Sequence, residues 1–175
     1  MPAATRLVCV ARRWHYLSTY VLWVLIALQW LHILAGIFWF GSAMTAHLVA
    51  FPAFSTFQPE TRRSIIEAFA ARYGRLVGAV AGLTILLGIL RGIAGGVLNV
   101  LGSPYGLTWT AAIVLGLGIA AFEGLRVSPT VGKLIATSDA GQIQALDDRL
   151  TRYGTIHLGG FLVIFSLMIA MRFGY

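Results

Sequence analysis

Charge is what this chain has least of. Of its 175 residues only 11% are Asp, Glu, Lys or Arg, while 58% are hydrophobic and the mean hydropathy is +0.82. Soluble domains carry about 25% charged residues, so a soluble globular enzyme is excluded and an integral membrane protein is expected. Cysteine is nearly absent too. Cys9 alone rules out an intramolecular disulfide and a cysteine-based metal cluster. Also missing are GxSxG, HExxH, a phosphate-binding glycine loop and any pair of acidic residues inside an apolar block. Nucleophilic catalysis is not expected. The net charge of +7 does not point to nucleic acid, because most Arg and Lys residues sit where loops meet apolar segments.

The charge-free blocks are residues 14–59, 76–90, 92–122 and 153–171. A helical span needs about 20 apolar residues. "GIAGGVL" continues the second block past Arg91, and "NVLGSPYG" breaks the third with a turn of Asn, Gly and Pro. Four spans follow, at about 21–51, 76–98, 107–125 and 154–173, in one domain covering 1–175. The fold class expected is all-α, an up-down four-helix bundle in the membrane. The first apolar run far exceeds the h-region of a signal peptide, so it is read as a retained span, with Trp14, Tyr16 and Tyr20 as interfacial anchors. The N-terminus, the 91–106 turn and the C-terminus form one side, A, and the two remaining loops form side B. Side B carries eight Lys and Arg against five, which favours it as cytoplasmic, although the basic N-terminus pulls the other way.

Two loops enter their spans alike. "RRSIIEAFAARYG" and "GQIQALDDRLTRYG" share Arg-Tyr-Gly at 72–74 and 152–154, and "GSAMTAHLVAFP" matches "GIAAFEGLRVSP" in a Gly, an Ala and the final Pro. A duplicated helix pair is one reading and convergence of loop-to-span signals the other. Segments 60–75 and 138–152 are amphipathic and either lie on the side-B surface or extend helices two and four into water. Small residues recur every fourth position at Gly74/Gly78/Gly82, Gly88/Gly92/Gly96 and Ala112/Gly116/Ala120/Gly124, as close helix packing in lipid requires.

Histidine inside such a chain needs a partner. His32 and His47 are fifteen residues apart, so on a helix they share a face about 22 Å apart along the axis. His157 begins the fourth span on side B, where helix one ends, so His47 and His157 are expected at similar depth. His32 lies nearer side A, level with Arg91. Intramembrane ionisable groups are functional candidates by default. Two imidazoles from facing helices can ligate haem iron, with Arg72, Arg75 and Arg152 as candidate propionate partners. The same imidazoles, His47 and His157 with His32, could instead hold a copper or zinc ion, helped by Met44 three residues before His47. Bonds from each His to a carbonyl across the bundle are the structural alternative.

"LHILAGIFWFGSAMTAHLVAFPAF" resembles the CopD-like (copper-resistance D) group of small polytopic membrane proteins, through Leu31, His32, Trp39, Gly41 and Pro52. The resemblance continues through "FQPETRRSIIEAFAARYGRLVGAVAGLTILLGILRG" and returns at "RYGTIHLGG", covering about two-thirds of the chain. The first-helix outline is also similar to the HemJ-type protoporphyrinogen oxidases, four-helix-core proteins linked with haem b. That family places a His at the position of His32 and a Lys in a later helix; helix three here has "YGLTWTAAIV" and no Lys. These resemblances imply a bacterial inner-membrane protein with a haem or copper role, and His32 as a ligand. The leading expectation is b-type haem bound between helices, for electron transfer or haem handling. Copper homeostasis and a non-catalytic subunit are the rivals, and the chain is expected to act as a homodimer or within a larger membrane complex.

Overall fold

The computed structural model describes residues 3–175, with side chains described from Thr19 onward. Trp14 and Tyr16, read as interfacial anchors, have side chains outside that range, as do Arg6, Cys9, Arg12 and Arg13. The described chain is helical, with no strand, and four of its helical stretches are long and apolar enough to cross a membrane: Thr19–Phe54, Pro59–Ala94, Pro104–Ala136 and Ala140–Arg172. Helix α1 (Ala3–Met44) runs through a π-helical turn (Thr45–Ala50) into α2 (Phe51–Phe54). Helix α3 (Pro59–Ala94) returns, α4 (Pro104–Phe122) runs through a second π-helical turn (Glu123–Val127) into α5 (Ser128–Ala136), and α6 (Ala140–Arg172) closes the bundle.

Local chemistry fixes these boundaries. Pro59 and Pro104 occupy first turns, where a missing N–H costs nothing. Ser103 caps α4 by accepting from Gly106 N at 3.2 Å, and Asp139 caps α6 by accepting from Gln142 N at 2.7 Å. Helix α3 ends where Gly96 takes φ 83°, a left-handed conformation in which a Cβ would be strained. The span expected to reach residue 98 therefore stops at Ala94. Segments 60–75 and 138–152 do not lie flat: they are the opening turns of α3 and α6. The third span likewise runs past its expected end at 125 into α5.

Helix α1 packs chiefly on α3 and α4 chiefly on α6, so the bundle is two antiparallel hairpins set side by side. Trp39, Ala43, Val77, Ala81, Ile119 and Phe161 form the central core. Toward side B, Ile66, Val127, Val131, Leu134 and Leu150 form a second core under the helix extensions, where Arg62 pairs with Asp147. Leu22, Val24, Leu83, Leu86, Leu117, Leu162 and Val163 are exposed, as side chains facing lipid tails should be.

The glycine series divides. Gly88, Gly92 and Gly116 lie against His32, Trp109 and Ile85, so they do permit close approach. Gly74, Gly78, Gly82 and Gly124 face open space within the chain.

The π-helical turns have a common cause. Each ends just before a proline, Pro52 or Pro129, which cannot donate a backbone bond and crowds the turn before it. The ladder opens by one residue: Phe51 N bonds Ala46 O, and Ser128 N bonds Glu123 O, each five residues back. The displacement that carries Gly41 onto Gly118 and Pro52 onto Pro129 also carries the first π-turn onto the second. The weak repeat is thus matched by a repeated backbone distortion.

Candidate functional site

Two polar centres lie inside the bundle, one toward each side. The side-A centre is a cavity of about 620 Å³ between α1, α3, α4 and α6. Its deeper wall is apolar, from Trp39, Ile85, Gly116 and Ile164, and Gln29, Arg91, Tyr105 and Arg172 lie toward side A. His32 lines it from α1. Its Nδ1 lies 2.9 Å from Thr84 O. A carbonyl only accepts, so Nδ1 carries the proton and donates; in the neutral ring Nε2 then keeps its lone pair. Gly88 makes this geometry available: a Cβ there would stand 2.9 Å from His32 Cε1. The adjoining indole of Trp109 donates Nε1–H to Gly88 O at 3.4 Å and packs over Gly92, where a Cβ would collide with it. Arg91 Nε is buried without a hydrogen-bond partner.

The side-B centre is smaller and tighter. His47, on the first π-turn, places Nε2 3.3 Å from His157 Nδ1 on α6. Glu123, the first residue of the second π-turn, places Oε2 3.1 Å from the same Nδ1. One ligating atom from each of the three lies within 4.8 Å of the other two. His157 is 2% exposed and sits between Phe122 and Phe161. Gly154 lets His47 in: a Cβ there would stand 2.8 Å from His47 Nδ1. A cavity of about 200 Å³ adjoins the trio, lined by Phe51, Tyr73, Gly74 and Ser128 among others.

The sequence expectations fall out unevenly on this geometry. His47 and His157 are brought together, and His32 stands apart in the other cavity. Iron held axially by two imidazoles sets their nitrogens about 4 Å apart, at about 2.0 Å per bond. At 3.3 Å, with Glu123 on the same nitrogen, His47 and His157 leave no room for a porphyrin between them. Arg72, Arg75 and Arg152 are exposed and line neither cavity. They occupy the outer faces of α3 and α6, where Arg75 Nε bonds Ala71 O and Arg152 Nε bonds Asp148 O. The arginines that line the side-A cavity are Arg91 and Arg172. Met44 is 38% exposed and also lines neither. Glu123, which its place at the end of helix three sets close to the side-B histidines, is the member of the trio not read as a ligand from sequence. Its signal was available: it is the one acidic residue between Glu67 and Asp139, and it lies just ahead of the repeated proline.

No family model, curated protein or solved structure matches this chain.

Proposed function

We propose that this membrane protein binds b-type haem in the side-A cavity through His32 and serves in electron transfer or haem handling. The observation that carries this reading is His32 itself. Its Nδ1–H is committed to the Thr84 carbonyl, which is how haem- and metal-ligating histidines are commonly oriented. Its Nε2 lone pair would hold the haem iron.

The surroundings suit the rest of such a ligand. A cavity of about 620 Å³ is within the range of cofactor sites. Its apolar wall, including Trp39, Ile85 and Ile164, would take a macrocycle's face and exclude water. Arg91 and Arg172 would hold its carboxylates, and a carboxylate oxygen at Arg91 would satisfy the orphaned Nε. Bound haem supplies a one-electron iron couple. The chain's own residues orient it, neutralise its acid groups and shield it.

The test is a pyridine haemochrome assay on protein purified in detergent from haem-replete cells. One b-type haem per chain is expected. A colourless preparation would overturn the reading and favour a structural subunit.

A further inference from the structure

We propose that His47, Glu123 and His157 form a second, independent site, which binds a divalent first-row transition ion of the zinc and copper(II) class. The site shares no residue with the side-A cavity and stands whether or not haem binds there.

Donor spacing is the first argument. A tetrahedral ion with bonds of about 2.0–2.1 Å has ligand-to-ligand edges of about 3.3–3.4 Å. The separations are 3.3 Å for His47 Nε2 to His157 Nδ1 and 3.1 Å for His157 Nδ1 to Glu123 Oε2. Two of the three edges therefore already have the spacing an ion needs, and binding would draw His47 and Glu123, whose donor atoms lie within 4.8 Å, closer together.

Hydrogen bonding alone uses these atoms poorly. His157 Nδ1 bears at most one proton, yet both Glu123 Oε2 and His47 Nε2 crowd it. If His47 Nε2 is protonated as well, two N–H groups oppose each other. An ion accepts one lone pair from each of the three atoms and removes this conflict, with the His157 ring proton then carried on Nε2, which is buried without a protein partner. The backbone supplies a third argument. Two of the ligands stand on π-helical turns, each opened by its own proline, and such turns frequently mark functional sites. The three donors come from three different spans, so an ion would tie the two hairpins together.

The donor set selects the class of ion. Two imidazoles and one carboxylate suit zinc and copper(II). Magnesium and calcium want more oxygens, and copper(I) wants sulfur, whereas the nearest methionine in sequence, Met44, points outward. Three protein ligands leave a fourth position, and the adjoining cavity of about 200 Å³ provides space for water or an exchangeable ligand there.

The experiment is a metal titration of tag-free, full-length protein in detergent after chelator treatment, using Zn²⁺, Cu²⁺ and Mg²⁺ separately. The expected result is one equivalent of Zn²⁺ or Cu²⁺ bound and no response to Mg²⁺. Affinity should fall at least about 100-fold in His47→Ala and Glu123→Gln, since even residues supporting a ligand cost 10–100-fold. His32→Ala should bind the ion like the parent. Glu123→Gln keeps the shape of the side chain and is the informative variant if a histidine variant fails to fold. Cobalt(II) loading gives a second readout, with the intense visible bands of a four-coordinate ion expected only when all three ligands are present. Absence of stoichiometric Zn²⁺ and Cu²⁺ binding in the parent, or unchanged affinity in both variants, would overturn the proposal and leave a hydrogen-bonded trio.

Discussion

His47 and His157 meet at 3.3 Å across 110 residues of sequence, with Glu123 closing on the same His157 nitrogen at 3.1 Å. The trio sits where both proline-opened turns face α6, so its geometry depends on backbone features remote from the ligands' own chemistry.

Pro52→Ala should restore an N–H that can bond back to Leu48 O, allowing the first π-turn to close into regular α-helix. Closing it removes the register shift and swings His47 away from His157. We expect at least about a 10-fold loss of Zn²⁺ affinity with helicity by circular dichroism unchanged. Pro129→Ala should act the same way through Glu123. Unchanged affinity in both variants would separate the prolines from the site.

The trio also holds the fold. His157→Ala removes a buried ring and leaves both His47 and Glu123 without a partner. Metal-free protein should lose about 2–4 kcal/mol, as for other large buried truncations. Glu123→Gln, which keeps its volume, should lose about 1–2 kcal/mol. Equilibrium unfolding in mixed micelles would rank the two.

Gly88→Ala places a methyl 2.9 Å from His32 Cε1, forcing the ring off the Thr84 carbonyl or the helices apart. Overpacking of this kind costs about 1–3 kcal/mol, and haem occupancy should fall with it. Gly78→Ala, which faces open space, should be neutral or stabilising by about 0.5–1 kcal/mol through helix propensity. Side-by-side thermal melts and haem content check the contrast.

Arg91→Gln should weaken haem retention about 10-fold by removing one carboxylate partner. Arg75→Gln and Arg152→Gln should leave it unchanged, because both side chains bond their own helices on the outside. Haem transfer to apomyoglobin reads the difference.

These contrasts show which parts of the architecture the amino-acid order discloses. The four spans are visible because charge is expensive in hydrocarbon, so its gaps mark the membrane. The shared depth of His47 and His157 is visible because both lie close to side-B ends. The π-turns are not visible, since a proline's effect on the preceding turn breaks the 3.6-residue period on which face assignment rests. That is why Met44, placed near the face of His47 by a regular wheel, points outward while Glu123 turns in. Arg72, Arg75 and Arg152 have suitable depth, but depth is silent about which face of an extended amphipathic helix turns inward. Arg172 directly follows the last charge-free block, a position that does not disclose that it lines the side-A cavity.

The most direct test of the haem assignment is the reduced-minus-oxidised absorption spectrum of His32→Ala beside a His47→Ala/His157→Ala double variant, each purified from haem-replete cells. His32→Ala is expected to lose the Soret and α bands while the double variant keeps them. A His32→Ala protein with the full spectrum, or a double variant that folds and is colourless beside a coloured parent, would contradict the assignment.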